Sequence, residues 1–133
     1  MTARLWTLIA ALLGATGVGM AAYASHGLGF IADPTQREAT RATLQLAVQM
    51  QLLHALALLA TGIWAKVQPS RWLVAAGALF VAGVLLFCGL IYLRIFTGTE
   101  ALRAFVPWGG TSLMLAWLCL GLAGWRARPA RVG

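Results

Sequence analysis

The 133-residue chain is 61% hydrophobic and only 10% charged, and its formal net charge is +7. Soluble domains carry about 25% charged residues, so this composition excludes a large soluble domain and indicates an integral membrane protein. The cations lie in short segments between apolar stretches rather than on one folded face, which disfavours nucleic acid and favours anionic lipid headgroups as partners.

Four apolar segments of roughly 20 residues are each long enough for a helix to cross ~30 Å of hydrocarbon. They predict an all-α fold, a bundle of four transmembrane helices forming one domain over residues 1–133. The predicted spans cover residues 5–25, 44–64, 72–93 and 105–125. Arg4 and the apolar run after it resemble a cleavable leader, but the run has the length of a span, so we expect an uncleaved first helix.

Small residues form stripes on three of the four predicted helices. Such stripes let two backbones approach in a membrane and pack by van der Waals contact. The predicted helix-packing positions are Gly14, Gly17 and Ala21 in the first span, Ala78, Ala82 and Gly89 in the third, and Gly110 and Gly121 in the fourth. Cys88 and Cys119 also lie within spans and show neither a disulfide nor a zinc spacing, so we interpret them as small apolar residues.

The second helix is predicted to begin well before its apolar part. Asp33, Pro34 and Gln36 have the order of an N-cap, a first-position proline and a capping-box partner. We therefore expect this helix to begin near residue 34, and its first turns to lie outside the hydrocarbon.

The second span carries four polar side chains, Gln45, Gln49, Gln51 and His54. An unpaired polar group in hydrocarbon costs several kcal/mol, so each of these side chains needs a partner. Helical angles put Gln45 and Gln49 with Arg41 on a shallow face, and Gln51 with His54 on a second, deeper face. Counting ~1.5 Å per residue from the inner end of the span places His54 about 15 Å deep, near the midplane.

Trp117, in the fourth span, is the one tryptophan at a comparable depth. Its indole N–H needs an acceptor there, and His54 is the candidate. The sequence therefore predicts a candidate polar pocket formed by Gln49, Gln51, His54 and Trp117. A second candidate site, at the outer interface, comprises His26, Arg41 and Arg94.

The distribution of cations predicts the orientation of the chain in the membrane. One side carries Arg4, Lys66, Arg71, Arg126, Arg128 and Arg131. The other side carries Arg37, Arg41, Arg94 and Arg103. Because cytoplasmic loops carry the excess of lysine and arginine, both termini are expected on the cytoplasmic side.

Short motifs follow one another along the four spans: Ala24 to Leu28, Gln51 to Leu58, Phe87 to Tyr92, and Val106 to Gly110 with Ala116 and Trp117. In order and spacing they resemble the domain of unknown function 423 family of small four-helix membrane proteins, which is related to the transmembrane protein 256 family. Hydroxyl side chains of the family pattern are replaced here by Met50, Cys88, Leu90 and Val106. The resemblance covers nearly the whole chain and implies a multi-pass membrane protein without an established activity.

Three functions are compatible with these residues. The first is a structural or accessory membrane protein that acts through helix–helix association. The second is binding or transport of a small ligand or a proton through a polar pocket around Gln51 and His54, because imidazole changes protonation near neutral pH. The third is a metal or haem site held by His26 and His54, which the depth of about 15 Å between them opposes.

We expect no enzyme activity and no cofactor. Ser25 and His26 are adjacent but lack an acidic group to orient the imidazole, and the chain shows no other arrangement of a nucleophile with a base. The expected location is the bacterial inner (cytoplasmic) membrane. The expected partners are membrane lipids, together with further copies of the chain or a larger membrane complex.

Overall fold

The computed structural model describes residues 2–127, which form four helical segments long and apolar enough to span a membrane. The helices are α1 (Thr2–His26), α2 (Pro34–Val67), α3 (Arg71–Val84), α4 (Leu90–Thr97) and α5 (Val106–Trp125). A π-helical turn, Leu85–Gly89, joins α3 directly to α4, and a 3₁₀ turn, Arg103–Phe105, leads into α5. The predicted all-α, four-span fold is confirmed. Arg128 and Arg131, which contribute to the predicted orientation, lie outside the described residues.

Side-chain caps begin the second and third helical segments. The Asp33 carboxylate accepts a hydrogen bond from the Thr35 N–H at 2.9 Å, and proline occupies the first position of α2. The Ser70 hydroxyl accepts from the Trp72 N–H at 3.3 Å. The predicted start of α2 is thus confirmed, so about three turns of this helix precede its apolar part.

α2 is the central helix of the bundle. Half of the residues in the most apolar stretch of α2 are buried, compared with 17% of those in the corresponding stretches of α1 and α5. α1 packs chiefly against α2, and α5 packs chiefly against α3. The buried polar side chains among residues 2–127, Gln51, His54 and Thr61, all lie on α2.

Glycines set the closest approach between α3 and α5. A Cβ atom added at Gly83 would lie 3.1 Å from the Gly109 carbonyl oxygen and against the Leu113 side chain. A Cβ atom added at Gly109 would lie against the backbone nitrogen of Phe87, which belongs to the π-helical turn. The two backbones therefore touch where the helix widens. This turn was not predicted from the sequence.

Only part of the predicted small-residue stripes packs within the chain. Gly17 is buried, and a Cβ atom there would lie 3.2 Å from Cγ of Leu52 on α2. Gly14 and Gly89 have no atom within 4 Å of such a position, and Gly121 is exposed. Ala21 is half-buried.

The stripe predicted on α3 faces outward. Ala78 and Ala82 are exposed, whereas the buried residues of α3 are Leu73, Ala76, Gly77, Phe80, Gly83 and Val84. Small residues occur on both sides of this helix, so angular clustering does not identify the side that meets a neighbour. Packing of Ala78 and Ala82 against another chain stays a prediction.

Gly109→Ala is expected to destabilise the bundle, because the new methyl group would collide with backbone atoms that cannot move aside. We expect a loss of about 2–3 kcal/mol in the free energy of unfolding. Gly110→Ala is the matched control, since its methyl group would come no closer than 3.9 Å to the Phe87 ring. Unfolding by SDS in mixed micelles, followed by circular dichroism, measures both variants, and a Gly110→Ala loss as large as that of Gly109→Ala would contradict this account.

Candidate functional site

His54 lies at the centre of the bundle with only 3% of its surface exposed. Its Nδ1 is 2.6 Å from the Met50 carbonyl oxygen, one turn earlier on α2. Its Nε2 accepts a hydrogen bond from the indole Nε1–H of Trp117 on α5, at 3.2 Å. The contact predicted from the depths of the two residues is therefore confirmed.

The two partners of His54 determine its tautomer. A carbonyl oxygen can only accept, so Nδ1 carries the hydrogen, and an indole N–H can only donate, so Nε2 is unprotonated. The neutral ring thus has both nitrogens occupied.

Aromatic contacts surround this hydrogen bond. Phe80 of α3 is fully buried, with its ring centroid 5.8 Å from that of His54 and 5.3 Å from that of Trp117. The Phe80 and Trp117 rings meet edge to face at 83°, an arrangement that aromatic pairs prefer. The cluster joins α2, α3 and α5 at one level. Trp117 is 44% exposed and covers the cluster on its outer side.

Gln51 is turned away from His54 and towards α1. It is also 3% exposed, and its Nε2 donates to the Leu13 carbonyl oxygen at 2.8 Å and to the Thr16 hydroxyl at 2.9 Å. Gly17 lies beside this contact, where a Cβ atom would be 3.4 Å from the Gln51 nitrogen and would clash with the Leu52 side chain. Gln51 therefore connects α2 to α1, as the His54 bond connects α2 to α5.

Gln49 does not join these residues. It is exposed on the outer face of α2, since two residues correspond to a rotation of about 200° from Gln51. The four residues predicted to form one polar pocket consequently occupy three environments: the aromatic cluster, the α1 contact and the outer surface. They do not line a common cavity.

The predicted outer-interface site is also divided. Arg41 pairs with Glu38 at 3.3 Å on α2, while Arg94 pairs with Glu100 at 3.4 Å after α4. Arg94 lines a cavity with Thr43, which lies about 160° around α2 from Arg41. His26 is exposed at the end of α1 and forms no side-chain hydrogen bond within residues 2–127.

An outer cavity of about 240 Å³ was not predicted. Its lining includes Thr43, Arg94, Thr99, Leu102, Arg103 and Pro107. Glu100 lies between the two arginines, 3.4 Å from Arg94 and 3.8 Å from Arg103, so their charges are partly compensated. The amino-acid sequence shows only that Glu100 and Arg103 follow the third span. This order of charges does not reveal that the loop folds back over α4.

A shared metal or haem site receives no support from the geometry. Within residues 2–127, no group of three or more His, Cys, Asp or Glu side chains is placed to hold a metal ion. His54 has both ring nitrogens engaged in hydrogen bonds, so neither is free to coordinate a metal without disrupting the cluster.

Trp117→Phe removes the indole N–H and keeps an aromatic ring beside Phe80. Nε2 of His54 then loses its donor in a buried site, and we expect a loss of about 1–2 kcal/mol in the free energy of unfolding. Unfolding by SDS in mixed micelles measures this loss. Trp108→Phe is the control, since Trp108 lies on the same helix, is exposed and donates no hydrogen bond within the described chain. Equal losses in the two variants would contradict the assigned bond.

Gln51→Leu removes both hydrogen bonds to α1 at nearly constant volume. We expect it to destabilise the chain by about 1–2 kcal/mol, because interhelical hydrogen bonds in membranes contribute about 0.6–2 kcal/mol. Gln45→Leu, which removes an exposed amide from the same helix, should leave the stability of the single chain unchanged. The same unfolding measurement compares the two, and a neutral Gln51→Leu would show that the α1 contact does not stabilise the fold.

Comparison with known proteins shows relatives along most of the chain. The family model described as "Protein of unknown function (DUF423)" matches residues 20–110. A UPF0382 membrane protein of Staphylococcus aureus (strain bovine RF122 / ET3-1) is 31% identical over 123 residues, which are 90% of this chain and 94% of the relative. The UPF0382 membrane protein YwdK of Bacillus subtilis (strain 168) is 29% identical over 122 residues, 90% of this chain and 95% of the relative.

The similarity extends beyond bacteria. A UPF0382 membrane protein of Schizosaccharomyces pombe (strain 972 / ATCC 24843) is 32% identical over 115 residues, 82% of this chain and 92% of the relative. No solved structure matches the chain. The matched range includes His54 and Gln51, whereas Trp117 lies beyond its end. This match confirms the predicted resemblance, and the chain belongs to the DUF423 family of membrane proteins of unknown function.

Proposed function

We propose that this protein is a structural or accessory membrane protein that acts through helix–helix association and catalyses no reaction. The supporting observation is that two of the three buried polar side chains among residues 2–127, Gln51 and His54, bond to other helices, while the third, Thr61, bonds within α2. Gln51 donates to α1, His54 accepts from Trp117 of α5, and the Ser112 hydroxyl of α5 donates to the Leu79 carbonyl oxygen of α3 at 2.9 Å. These bonds position the four spans relative to one another.

Transport of a proton or a small ligand is the less favoured function. It needs a polar path through the membrane. His54 and Gln51 are buried, and both ring nitrogens of His54 and the amide nitrogen of Gln51 are hydrogen-bonded to protein partners. A proton relay also needs further titratable groups within the span. The three acids of the chain are Asp33, Glu38 and Glu100, all of them outside the predicted spans.

The proposed setting is the bacterial inner membrane, with both termini in the cytoplasm and membrane lipids rather than nucleic acid around the protein. At one end of the bundle, the guanidinium groups of Arg71 and Arg126 each lie 5.5 Å from the centre of the Trp72 ring, a group suited to a membrane interface. Within residues 2–127 each side of the membrane carries four lysine or arginine residues. The predicted excess of cations on the cytoplasmic side therefore depends on Arg128 and Arg131.

Reconstituted liposomes test the proposal against transport. We expect proton flux at the level of empty liposomes for the unaltered protein and for His54→Gln, with His54→Gln less stable to SDS because it loses the contact with Trp117. Flux above that level that His54→Gln abolishes would contradict the structural proposal. Affinity purification from native membranes then tests the accessory role, which predicts recovery of a stoichiometric partner or of further copies of the chain.

A further inference from the structure

The outer face of α2 carries a regular row of exposed side chains that the contacts within the chain do not use. Its members, here called the α2 seam, are Leu46, Gln49, Leu53, Leu56, Ala60 and Ile63. Their spacing alternates between three and four residues, which is the heptad spacing of a helix that packs along its length against another helix. All lie within the predicted span.

Gln49 distinguishes this row from a face that meets only lipid. It lies five residues inside the span, or about 8 Å below the hydrocarbon boundary, and its side chain is exposed. Within residues 2–127 no hydrogen bond involves its amide, whereas the Gln51 amide has two. An exposed carboxamide at this depth faces lipid tails that can neither donate nor accept a hydrogen bond, which is costly.

The chemistry of the seam fits a second copy of this chain. A carboxamide both donates and accepts, so two identical amides facing each other across a two-fold axis satisfy one another. Copies inserted in the same orientation bring their α2 helices together in parallel and in register. Gln49 then meets Gln49 of the second copy. In coiled coils, a single polar residue in an apolar seam sets the register of the two helices in the same way.

Beside the seam, α1 and α2 leave an apolar groove of about 450 Å³. Its lining includes Ala10, Ala11, Gly14, Leu52, Ala55 and Leu56. Leu56 belongs to both the groove and the seam, so the two features are continuous. Small residues on α1 form the floor, which gives the leucines of a facing seam a place to insert.

We propose that the protein forms a parallel two-fold dimer through the α2 seam, with reciprocal amide hydrogen bonds between the two Gln49 side chains. This proposal rests on the proposed role in helix–helix association and names its partner as a second copy of the chain. It also assigns a use to the groove beside Gly14, which packing within the chain leaves open.

Disulfide cross-linking in native membranes tests the interface. Leu53→Cys places a thiol in the seam, and Leu115→Cys places one on the outer face of α5 at a similar depth and exposure, 54% against 46%. Both are made with Cys119→Ser, because Cys119 is partly exposed, while Cys88 is buried. We expect an oxidant to convert Leu53→Cys into a covalent dimer at least tenfold more efficiently than Leu115→Cys. Equal or absent cross-linking would overturn the interface.

The amide pair is tested by Gln49→Leu against Gln45→Leu, two exposed amides on the same helix. The monomer–dimer equilibrium is measured by energy transfer between labelled copies as lipid dilutes them. Gln49→Leu removes the reciprocal amide bonds, and we expect it to weaken the dimer about tenfold. Gln45 lies on the same face but only one residue inside the predicted span, where headgroup water can bind its amide, so we expect Gln45→Leu to weaken the dimer less than twofold. A dimer that both variants leave unchanged would remove Gln49 from the interface and overturn the proposal.

The outcomes separate this inference from the proposed function. A chain that fails to cross-link at the seam but purifies with a different protein overturns the dimer and leaves the accessory role intact. A chain that is monomeric in lipid and purifies with no partner overturns both.

Discussion

The absence of water from hydrocarbon is the constraint on which the arrangement of this bundle depends. Polar side chains near the midplane have no solvent to bind, so each needs a hydrogen-bond partner within the protein. Gln51 finds its partners on α1 and His54 finds its donor on α5. α2 is thereby fixed against both neighbours by directional bonds, and apolar contacts around Phe80 fill the space between them. These bonds give the helices a register that van der Waals packing alone would specify weakly.

Local signals and depth were predictable from the sequence. Asp33 followed by proline predicted the start of α2, and counting residues from the membrane boundary predicted the contact between His54 and Trp117. The direction in which each side chain points was harder to predict, because it depends on where the neighbouring helices lie. Ala78 and Ala82 form a regular stripe yet face outward, and Gln49 is exposed while Gln51 is buried. The π-helical turn has no composition of its own that marks it, and its contact with Gly109 depends on how α5 packs.

Two glutamines separated by one residue illustrate how the same chemistry can serve different purposes. The amide nitrogen of Gln51 is hydrogen-bonded within the chain, whereas the amide of Gln49 is exposed on the surface at nearly the same depth. A protein in which every polar group were satisfied internally would need no neighbour. In the proposed dimer, the outward amide of Gln49 is satisfied by the second copy, whereas the amide of Gln51 is satisfied within one chain.

The π-helical turn Leu85–Gly89 affects how the third segment can move. One additional residue in the turn rotates the helix beyond it by about 100°, so α3 and α4 present differently directed faces. α3 packs mainly on α5, whereas α4 packs on α2. If the third segment moved along its axis by one turn, the π-helical turn would no longer lie opposite Gly109. A residue with a side chain would then face its backbone. The fit between the π-helical turn and Gly109 therefore fixes the axial position of the third segment relative to α5.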